Sequence, residues 1–198
     1  MKTLFCEIDR DRPDPRIMEA AADIIRRGGL VAFPTETVYG LGANGLDAAA
    51  VARIFAAKGR PADNPLILHI ADREELEEWV AAVPDWLEPL LEQFWPGPFT
   101  VVLPRSDTVP DIVTAGLDTV AVRLPSLGAA RELIRAAGVP IAAPSANLSG
   151  RPSPTTAAAV MADMEGRIDM VLDAGPCEVG LESTVLDCVS QPPTILRP

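Results

Sequence analysis

Hydrophobic and polar residues follow two different periods along this chain, and the periods mark helices and strands. In some stretches apolar residues recur every three or four positions, as Ile17, Ala21 and Ile24 do, which is typical of a helix with one buried face. The pattern predicts helices over residues 15–28, 47–57, 72–82, 84–94, 126–137 and 156–164. Short apolar runs bounded by turn-forming residues predict strands over residues 30–33, 66–70, 99–103, 119–124, 139–142, 170–172, 183–187 and 194–196, with a weaker strand over 109–113.

Polar residues at the predicted helix starts support these boundaries. Asp47 and Ser126 each precede a helical run and are typical N-cap residues. Asp72, followed by Glu75 three residues later, has the spacing of a capping box. Strands and helices interleave without strict alternation, which indicates an α/β fold with a mixed parallel and antiparallel sheet. Because no linker, repeat or low-complexity run divides the sequence, we predict a single domain over residues 1–198.

Composition and charge narrow the function classes. Of the 198 residues 48% are hydrophobic, enough for a large core, so a disordered chain is excluded. No apolar run reaches the roughly 18–20 residues that span a bilayer, and the first residues do not form a signal peptide, so we expect a cytoplasmic protein with no membrane contact. The net charge of −11 repels polyanions, and we therefore expect no tight tRNA binding.

The cysteines and the basic residues are unevenly distributed. The three cysteines lack C-x-x-C spacing, which indicates free thiols and neither a zinc site nor a redox dithiol; no metal-ligating set is predicted. Of 17 basic residues only Lys2 and Lys58 are lysines. An internal lysine in a chain that otherwise uses arginine suggests chemistry that needs a compact point charge, although chance would also explain it.

Lys58 and Arg60 lie together after the helix predicted over residues 47–57. Separated by one glycine, the two side chains can reach one phosphate chain if the loop is extended. The alternative is a helix C-cap by Lys58 with a solvated Arg60. The sequence leaves both open.

Polar side chains also follow the strand predicted over residues 139–142. Ser145, Asn147 and Ser149 offer neutral hydrogen-bonding groups at a strand end, where ligands bind in open sheets; a common surface turn is the alternative. His69, the one histidine, should face the same side as Ile67, and it is either a ligand contact or a hydrogen-bonded, half-buried residue.

The sequence does not support either of two common nucleotide-binding motifs, the G-x-G-x-x-G fingerprint and the G-K-[ST] phosphate loop. Residues 40–45 (GLGANG) fit G-x-G-x-x-G, but six residues (34–39) separate them from the preceding strand, and the next strand has no acidic residue for a ribose. We therefore reject a nicotinamide-dependent oxidoreductase. No G-K-[ST] loop is present, so a bound nucleotide would be held by other residues.

Several segments, taken in order, resemble the YrdC-type family, the L-threonylcarbamoyladenylate synthases. The resemblance spans about residues 13–198. The segments that carry it are FPTETVYGLG (33–42), KGR (58–60), DNPL (63–66), PGPFT (96–100), TVAVR (119–123), SAN (145–147), EST (182–184) and ILR (195–197).

The resemblance implies an open, twisted sheet with flanking helices and a concave ligand-binding face. It also implies an enzyme, a nucleotidyltransferase, that condenses L-threonine, bicarbonate and ATP to threonylcarbamoyl-AMP and pyrophosphate, with Mg²⁺ on the triphosphate. The product would go to a separate tRNA threonylcarbamoyl transferase. Longer family members carry a further C-terminal domain, so this chain resembles the single-domain form or a catalytic domain.

The same resemblance implies the site residues. The predicted L-threonine contacts are Thr37, His69, Arg123, Ser145 and Ser183. The predicted ATP contacts are Lys58, Arg60, Asn64, Thr119, Asn147, Thr155 and Arg197, with Lys58 and Arg60 as the catalytic cations. There are two alternative functions. The first is an RNA-binding module of the same fold, which the negative net charge argues against. The second is a carbamoyl-transferring relative, whose extra domains would not fit in a chain of this length.

Overall fold

One open sheet organises the part of the chain that the computed structural model describes, residues 2–198. Within those residues ten strands run in the order β1-β8-β2-β3-β7-β4-β6-β5-β9-β10. The strands are β1 (Leu4–Glu7), β2 (Val31–Phe33), β3 (Gly40–Asn44), β4 (Ile67–His69), β5 (Phe99–Pro104), β6 (Thr119–Arg123), β7 (Ile141–Ala143), β8 (Met170–Asp173), β9 (Thr184–Asp187) and β10 (Thr194–Arg197). The helices are α1 (Pro15–Arg26), α2 (Ala48–Lys58), α3 (Leu76–Trp79), α4 (Glu88–Phe94), α5 (Asp111–Thr114), α6 (Gly128–Ala137) and α7 (Ala157–Met164).

The sheet is mixed, which confirms the predicted α/β class with flanking helices. β8 is parallel to both β1 and β2, β4 is parallel to β6, and β5 is parallel to β9. The remaining pairs are antiparallel. The single-domain boundary at residues 1–198 stays a prediction. In residues 2–198 we find no helix with the length and apolar character that crossing a bilayer requires.

Helices pack on both faces of the sheet, and on one face part of the sheet carries polar side chains. α1 and α6 pack against each other and over β2, β7 and β8, with Met18, Ile25 and Leu133 in the shared core. The larger core, on the opposite face, includes Leu68 and Val122 together with side chains of α2 and α7. On the first face the strands β4, β6 and β5 carry polar side chains, and this is where the candidate site lies.

Three sequence predictions for the elements were wrong, and two strands, β1 and β3, were not predicted. The weaker strand over 109–113 is the short helix α5, which follows Pro110 and ends at Ala115 in the left-handed conformation. Ser126 does not cap α6, whose N-cap is Leu127 and makes no side-chain capping bond. β1 was not predicted, because four largely exposed residues lack a clear hydrophobic pattern.

The helix predicted over 72–82 is shorter. The Asp72–Glu75 capping box is present, but it starts a 3₁₀ turn (Arg73–Glu75) that leads into the four residues of α3. Val80 is already extended and forms a β-bridge with Arg105, which ends the helix.

Residues 40–45 begin with a strand and not with a phosphate-binding loop. β3 lies between β2 and β7, and it is antiparallel to both. A Cβ atom placed on Gly42 would lie 2.7 Å from Cγ2 of Ile141 and 2.9 Å from Cε1 of Phe33. The glycine is therefore explained by close packing against its neighbours, which supports the rejection of a dinucleotide site.

Candidate active site

A row of polar side chains crosses three neighbouring strands. His69 on β4 is the register partner of Arg123 on β6, and Arg123 is in turn the partner of Thr100 on β5. Register partners point to the same side of a sheet, so the three side chains share one face. Ser183, just before β9, extends the row, with its Oγ 2.7 Å from Oγ1 of Thr100.

A cavity of about 240 Å³ opens above this row. It brings together all five residues predicted to contact L-threonine, and three of those predicted to contact ATP. The lining residues are Thr35, Thr37, Val38, Gly40, Arg60, Asn64, Pro65, Leu66, Ile67, His69, Arg123, Ala143, Pro144, Ser145, Glu182, Ser183 and Arg197. Segments distant in sequence thus converge on one polar pocket.

A second cavity of about 180 Å³ adjoins the first. The two share three lining residues, Arg60, Asn64 and Ser145. Lys58 and Asn147 line only the second cavity. The pair of cavities therefore has room for two joined ligand parts, with Arg60 placed between them.

Two predicted ATP contacts line neither cavity. Thr119 begins β6, on the same face as Arg123 but four residues, or about 13 Å, further along the strand. Thr155 precedes α7, and its carbonyl accepts a hydrogen bond from the backbone N–H of Cys177 at 2.8 Å. Contact between these residues and ATP stays a prediction.

Lys58 is the last residue of α2, and its side chain reaches across to the loop after β7. Asp47 caps the start of this helix by accepting from the backbone N–H groups of Ala49 and Ala50, and Gly59 ends it in the left-handed conformation. Nζ of Lys58 donates to the carbonyl of Ser145 and, at 2.6 Å, to that of Asn147.

The ammonium group of Lys58 is almost enclosed. Only 3% of the residue is exposed, and burial, with the nearby charge of Arg60, lowers the Lys58 pKa to about 8. Its hydrogen bonds go to the loop after β7 and not to its own helix, whose C-cap is Gly59. The helix-capping alternative is therefore wrong for Lys58, and Arg60 is half-buried.

Arg60 extends from the loop after α2. Its Nη2 is 3.3 Å from the carbonyl of Asn64, and burial lowers its pKa from the usual value. Nε of Arg60 is buried and has no hydrogen-bond partner among the described residues. A bound anion would supply the missing acceptor for this cation.

Arg123 forms a buried ion pair that sequence reasoning missed. Its Nη2 lies 2.7 Å from Oε1 of Glu36, and only 5% and 6% of the two side chains are exposed. Nε of Arg123 is 3.4 Å from the carbonyl of Gly97. An acidic residue between Thr35 and Thr37 was a signal in the sequence, but nothing there linked it to an arginine 87 positions away.

His69 is an uncharged member of the row. Burial, together with the charge of Arg123, lowers the pKa of its ring to about 3. Nδ1 lies 3.2 Å from the carbonyl of Ile67, which accepts a hydrogen bond from this nitrogen in the tautomer that carries the proton there. The ring packs edge-on against Phe33, and Leu68 points into the opposite core, as the alternation predicted. His69 can therefore offer a fixed neutral contact.

Arg197, on the last strand, β10, also lines the first cavity. Its Nε donates to the carbonyl of Ser183 at 2.7 Å, and its Nη2 lies 3.2 Å from Oγ of the same residue. Since Oγ of Ser183 also contacts Thr100, the hydroxyl is held from two sides. Arg197 thus links β10 to the polar row and keeps a cation at the cavity.

Metal-binding chemistry is limited within residues 2–198. No three of their His, Cys, Asp or Glu side chains are grouped to hold an ion. Single carboxylates do line the cavities, with Glu182 in the first and Asp63 in the second. One or two carboxylates together with substrate phosphates are a common environment for Mg²⁺, so these residues fit an ion that arrives with a nucleotide.

Comparison with known proteins agrees with this geometry. Residues 23–198 match the Sua5/YciO/YrdC family, whose description reads "Telomere recombination". The chain is 56% identical over 189 residues to threonylcarbamoyl-AMP synthase of Pyrococcus abyssi, covering 96% of this chain and 56% of the relative. It is 54% identical over 186 residues to threonylcarbamoyl-AMP synthase of Bacillus subtilis, covering 93% and 54%.

The solved structures give the same result. The crystal structure of P. abyssi Sua5 complexed with L-threonine superposes with a TM-score of 0.97 at 55% identity, covering 99% of this chain and 57% of that one. The chain therefore belongs to the Sua5/YciO/YrdC family. It spans about half the length of the two curated relatives named above.

Proposed function

We propose that this chain is an L-threonylcarbamoyladenylate synthase, an enzyme that forms threonylcarbamoyl-AMP and pyrophosphate from L-threonine, bicarbonate and ATP. The observation that carries the proposal is the pair of adjoining cavities, with buried Arg123 in one, Lys58 in the other, and Arg60 shared. The name of the relatives and the threonine complex of P. abyssi Sua5 support it.

The first cavity would hold L-threonine. Arg123 suits its carboxylate, because the planar guanidinium can offer two donors to one carboxylate. Thr37, His69, Ser145 and Ser183 supply short neutral contacts, which can distinguish the threonine hydroxyl from an apolar isostere. A substrate without the hydroxyl would fail to replace whichever of these contacts the threonine hydroxyl makes, and that cost gives selectivity.

The second cavity and the shared residues would hold the phosphates of ATP. Lys58, Arg60 and Arg197 supply positive charge, and Asn64 and Asn147 supply neutral groups. Thr119 and Thr155 remain proposed contacts for parts of the nucleotide that extend beyond the cavities. Mg²⁺ would neutralise charge on the triphosphate when bound, with Glu182 and Asp63 as the available carboxylates.

The chemistry needs positioning more than a protein nucleophile. The free amine of threonine adds to carbon dioxide derived from bicarbonate and loses a proton, which gives a carbamate. A carbamate oxygen then bonds to the α-phosphorus of ATP, and the bond to the pyrophosphate oxygen breaks. The cationic side chains would hold two anions together and offset the charge that develops on the phosphates.

The test is the dependence of ATP cleavage on the other two substrates. We expect pyrophosphate release only when threonine and bicarbonate are both present, with a product of the mass of threonylcarbamoyl-AMP when labelled bicarbonate is used and free AMP only from hydrolysis of that product. D-Threonine serves as the matched control. Equal ATP cleavage without threonine would replace the synthase with a simple hydrolase.

The product would be used by a separate tRNA threonylcarbamoyl transferase, and the enzyme would act in the cytoplasm. The RNA-binding alternative is not favoured, because the net charge of −11 opposes a polyanion.

A further inference from the structure

Arg123 and Glu36 contact each other through a single hydrogen-bonded ion pair. Arginine and carboxylate side chains often meet through two parallel hydrogen bonds, but here only Nη2 and Oε1 are joined. Oε2 of Glu36 is buried and has no hydrogen-bond partner among residues 2–198. Nη1 of Arg123 makes no hydrogen bond within the same residues, while its side chain lines the first cavity. The pair thus leaves one donor nitrogen and one acceptor oxygen unused.

The charges of this pair match those of an amino acid. A free α-amino acid carries a carboxylate and an ammonium group and is neutral overall. An arginine alone at the inner end of the cavity would attract any small carboxylate. The carboxylate of Glu36 lies 2.7 Å from that arginine, so the two charges of the pair cancel. The negative charge of Glu36 also favours an ammonium group in this part of the cavity.

Within the row of His69, Arg123, Thr100 and Ser183 no other charge replaces that of Glu36. The further charges that line the cavity are Arg60 and Arg197, which are positive, and Glu182, which is negative. His69 is neutral, because burial and Arg123 lower the pKa of its ring to about 3. Thr37, Thr100 and Ser183 carry none. Glu36 itself is fixed through its backbone, since its carbonyl accepts from the N–H of Val179 at 2.9 Å.

We propose that Glu36 is the specificity-determining residue that makes the amino-acid end of the first cavity prefer a zwitterion to a simple carboxylate. Glu36 acts as a positioning residue, because it holds Arg123 by Nη2 and leaves Nη1 available to the substrate carboxylate. Its charge also balances that of Arg123. The inference rests on the proposed function only for the identity of the amino acid, L-threonine.

The test compares two ligands that differ only in the amino group. L-Threonine and 3-hydroxybutyrate, which is threonine without its α-amine, are titrated by calorimetry into the wild-type protein and into Glu36→Gln. Glutamine keeps the shape and one acceptor oxygen but removes the charge. We expect the wild type to prefer threonine, and the preference to fall by about tenfold or more in the variant, the effect of one nearby charge in a partly buried site.

Two further variants separate charge from structure. Glu36→Asp keeps the charge and should keep the preference for threonine, even if both affinities weaken. Glu88→Gln removes one carboxylate of another Arg–Glu pair, Arg73–Glu88, also joined at short distance, and should leave the preference unchanged. Because these measurements use binding, they do not require a complete reaction.

The outcomes are distinct. Equal loss of both ligands in Glu36→Gln, or an unchanged preference, overturns the inference and leaves Glu36 a structural residue. A wild-type protein without preference overturns it as well. If Glu36→Gln does not fold, the decision rests on Glu36→Asp. Loss of the preference for threonine in Glu36→Asp overturns the inference, and the same preference in Glu36→Asp and the wild type supports it. A wild-type protein that prefers threonine but makes no adenylate would contradict the proposed function and leave the inference about Glu36 intact.

Discussion

Nζ of Lys58, at the end of α2, donates a hydrogen bond to the backbone carbonyl of Asn147 at 2.6 Å, so the helix end and the loop after β7 are joined. A second hydrogen bond connects the same two segments, because the backbone N–H of Ser149 donates to the carbonyl of Lys58 at 2.9 Å. Both segments line the second cavity. Lys58 therefore positions this wall as well as providing its charge.

Replacing Lys58 should weaken the use of ATP selectively. In Lys58→Ala the phosphates lose a charged contact and two carbonyl groups lose their donor, so we expect kcat/KM for ATP to fall by about 10- to 150-fold, the equivalent of 1.5–3 kcal/mol. Threonine affinity, measured by calorimetry, should change little. Lys58→Arg should not restore full activity, because a wider planar group fits a point-charge site poorly.

The matched control for this experiment is Lys2→Ala, since Lys2 is the one other lysine and is exposed. It should leave both substrates unaffected. If nucleotide affinity and turnover of Lys58→Ala equal those of the wild type, Lys58 has no part in ATP binding.

The pH dependence of ATP use should follow the charge on Lys58. With a pKa of about 8 in the free protein, Lys58 is protonated below that pH and loses its charge above it. We expect kcat/KM for ATP to decline as the pH rises through about 8. Lys58→Arg keeps its charge over this range, so its profile should be lower but flat. The same decline in Lys58→Arg would assign the titration to another group.

Close packing around β3 should make Gly42 intolerant of a side chain. In Gly42→Ala the new Cβ would meet Ile141 and Phe33 at 2.7 and 2.9 Å, and we expect a loss of about 1–3 kcal/mol in the free energy of unfolding, measured with urea. Gly128→Ala is the matched control, because the nearest atom to its Cβ would be at an ordinary 3.6 Å. That variant should be neutral or more stable by up to about 1 kcal/mol. Equal stabilities for the two variants would contradict the packing explanation.

The chain should make its adenylate without tRNA. Neutralising several phosphates requires a basic surface, and several of the 17 basic residues are already committed to the cavities or to ion pairs. We expect tRNA to bind no tighter than about 10 μM at physiological salt, measured by fluorescence titration over a range of salt concentrations. Sub-micromolar binding, or synthesis that starts only when tRNA is added, would reveal a basic face that the charge count does not show.

The sequence predicted more of the site than of the elements around it. Alternation along β4 placed His69 opposite Leu68. The resemblance to the YrdC-type family pointed to Thr37, Arg123 and Ser183, and the fold brings these three residues to one cavity.

Features that depend on long-range packing could not be predicted. β3 is rich in glycine, which has no side chain to contribute to a hydrophobic period, so its strand character depends on β2 and β7. The ion pair of Glu36 with Arg123 joins residues 87 positions apart and is visible only in the fold. At residues 109–113 the apolar pattern was too short to distinguish a strand from a helical turn.

The unequal burial of the two ends of the first cavity has a kinetic consequence. Thr37, His69 and Arg123 are almost fully enclosed, whereas Arg60, Asn64 and Arg197 lie nearer the solvent. A nucleotide held by the outer residues would stand between the inner residues and the bulk solution. We therefore expect compulsory order, with the amino acid entering first and leaving last as part of the product. Preincubation with a non-hydrolysable ATP analogue should accordingly slow threonine association, while preincubation with threonine should not slow association of the nucleotide.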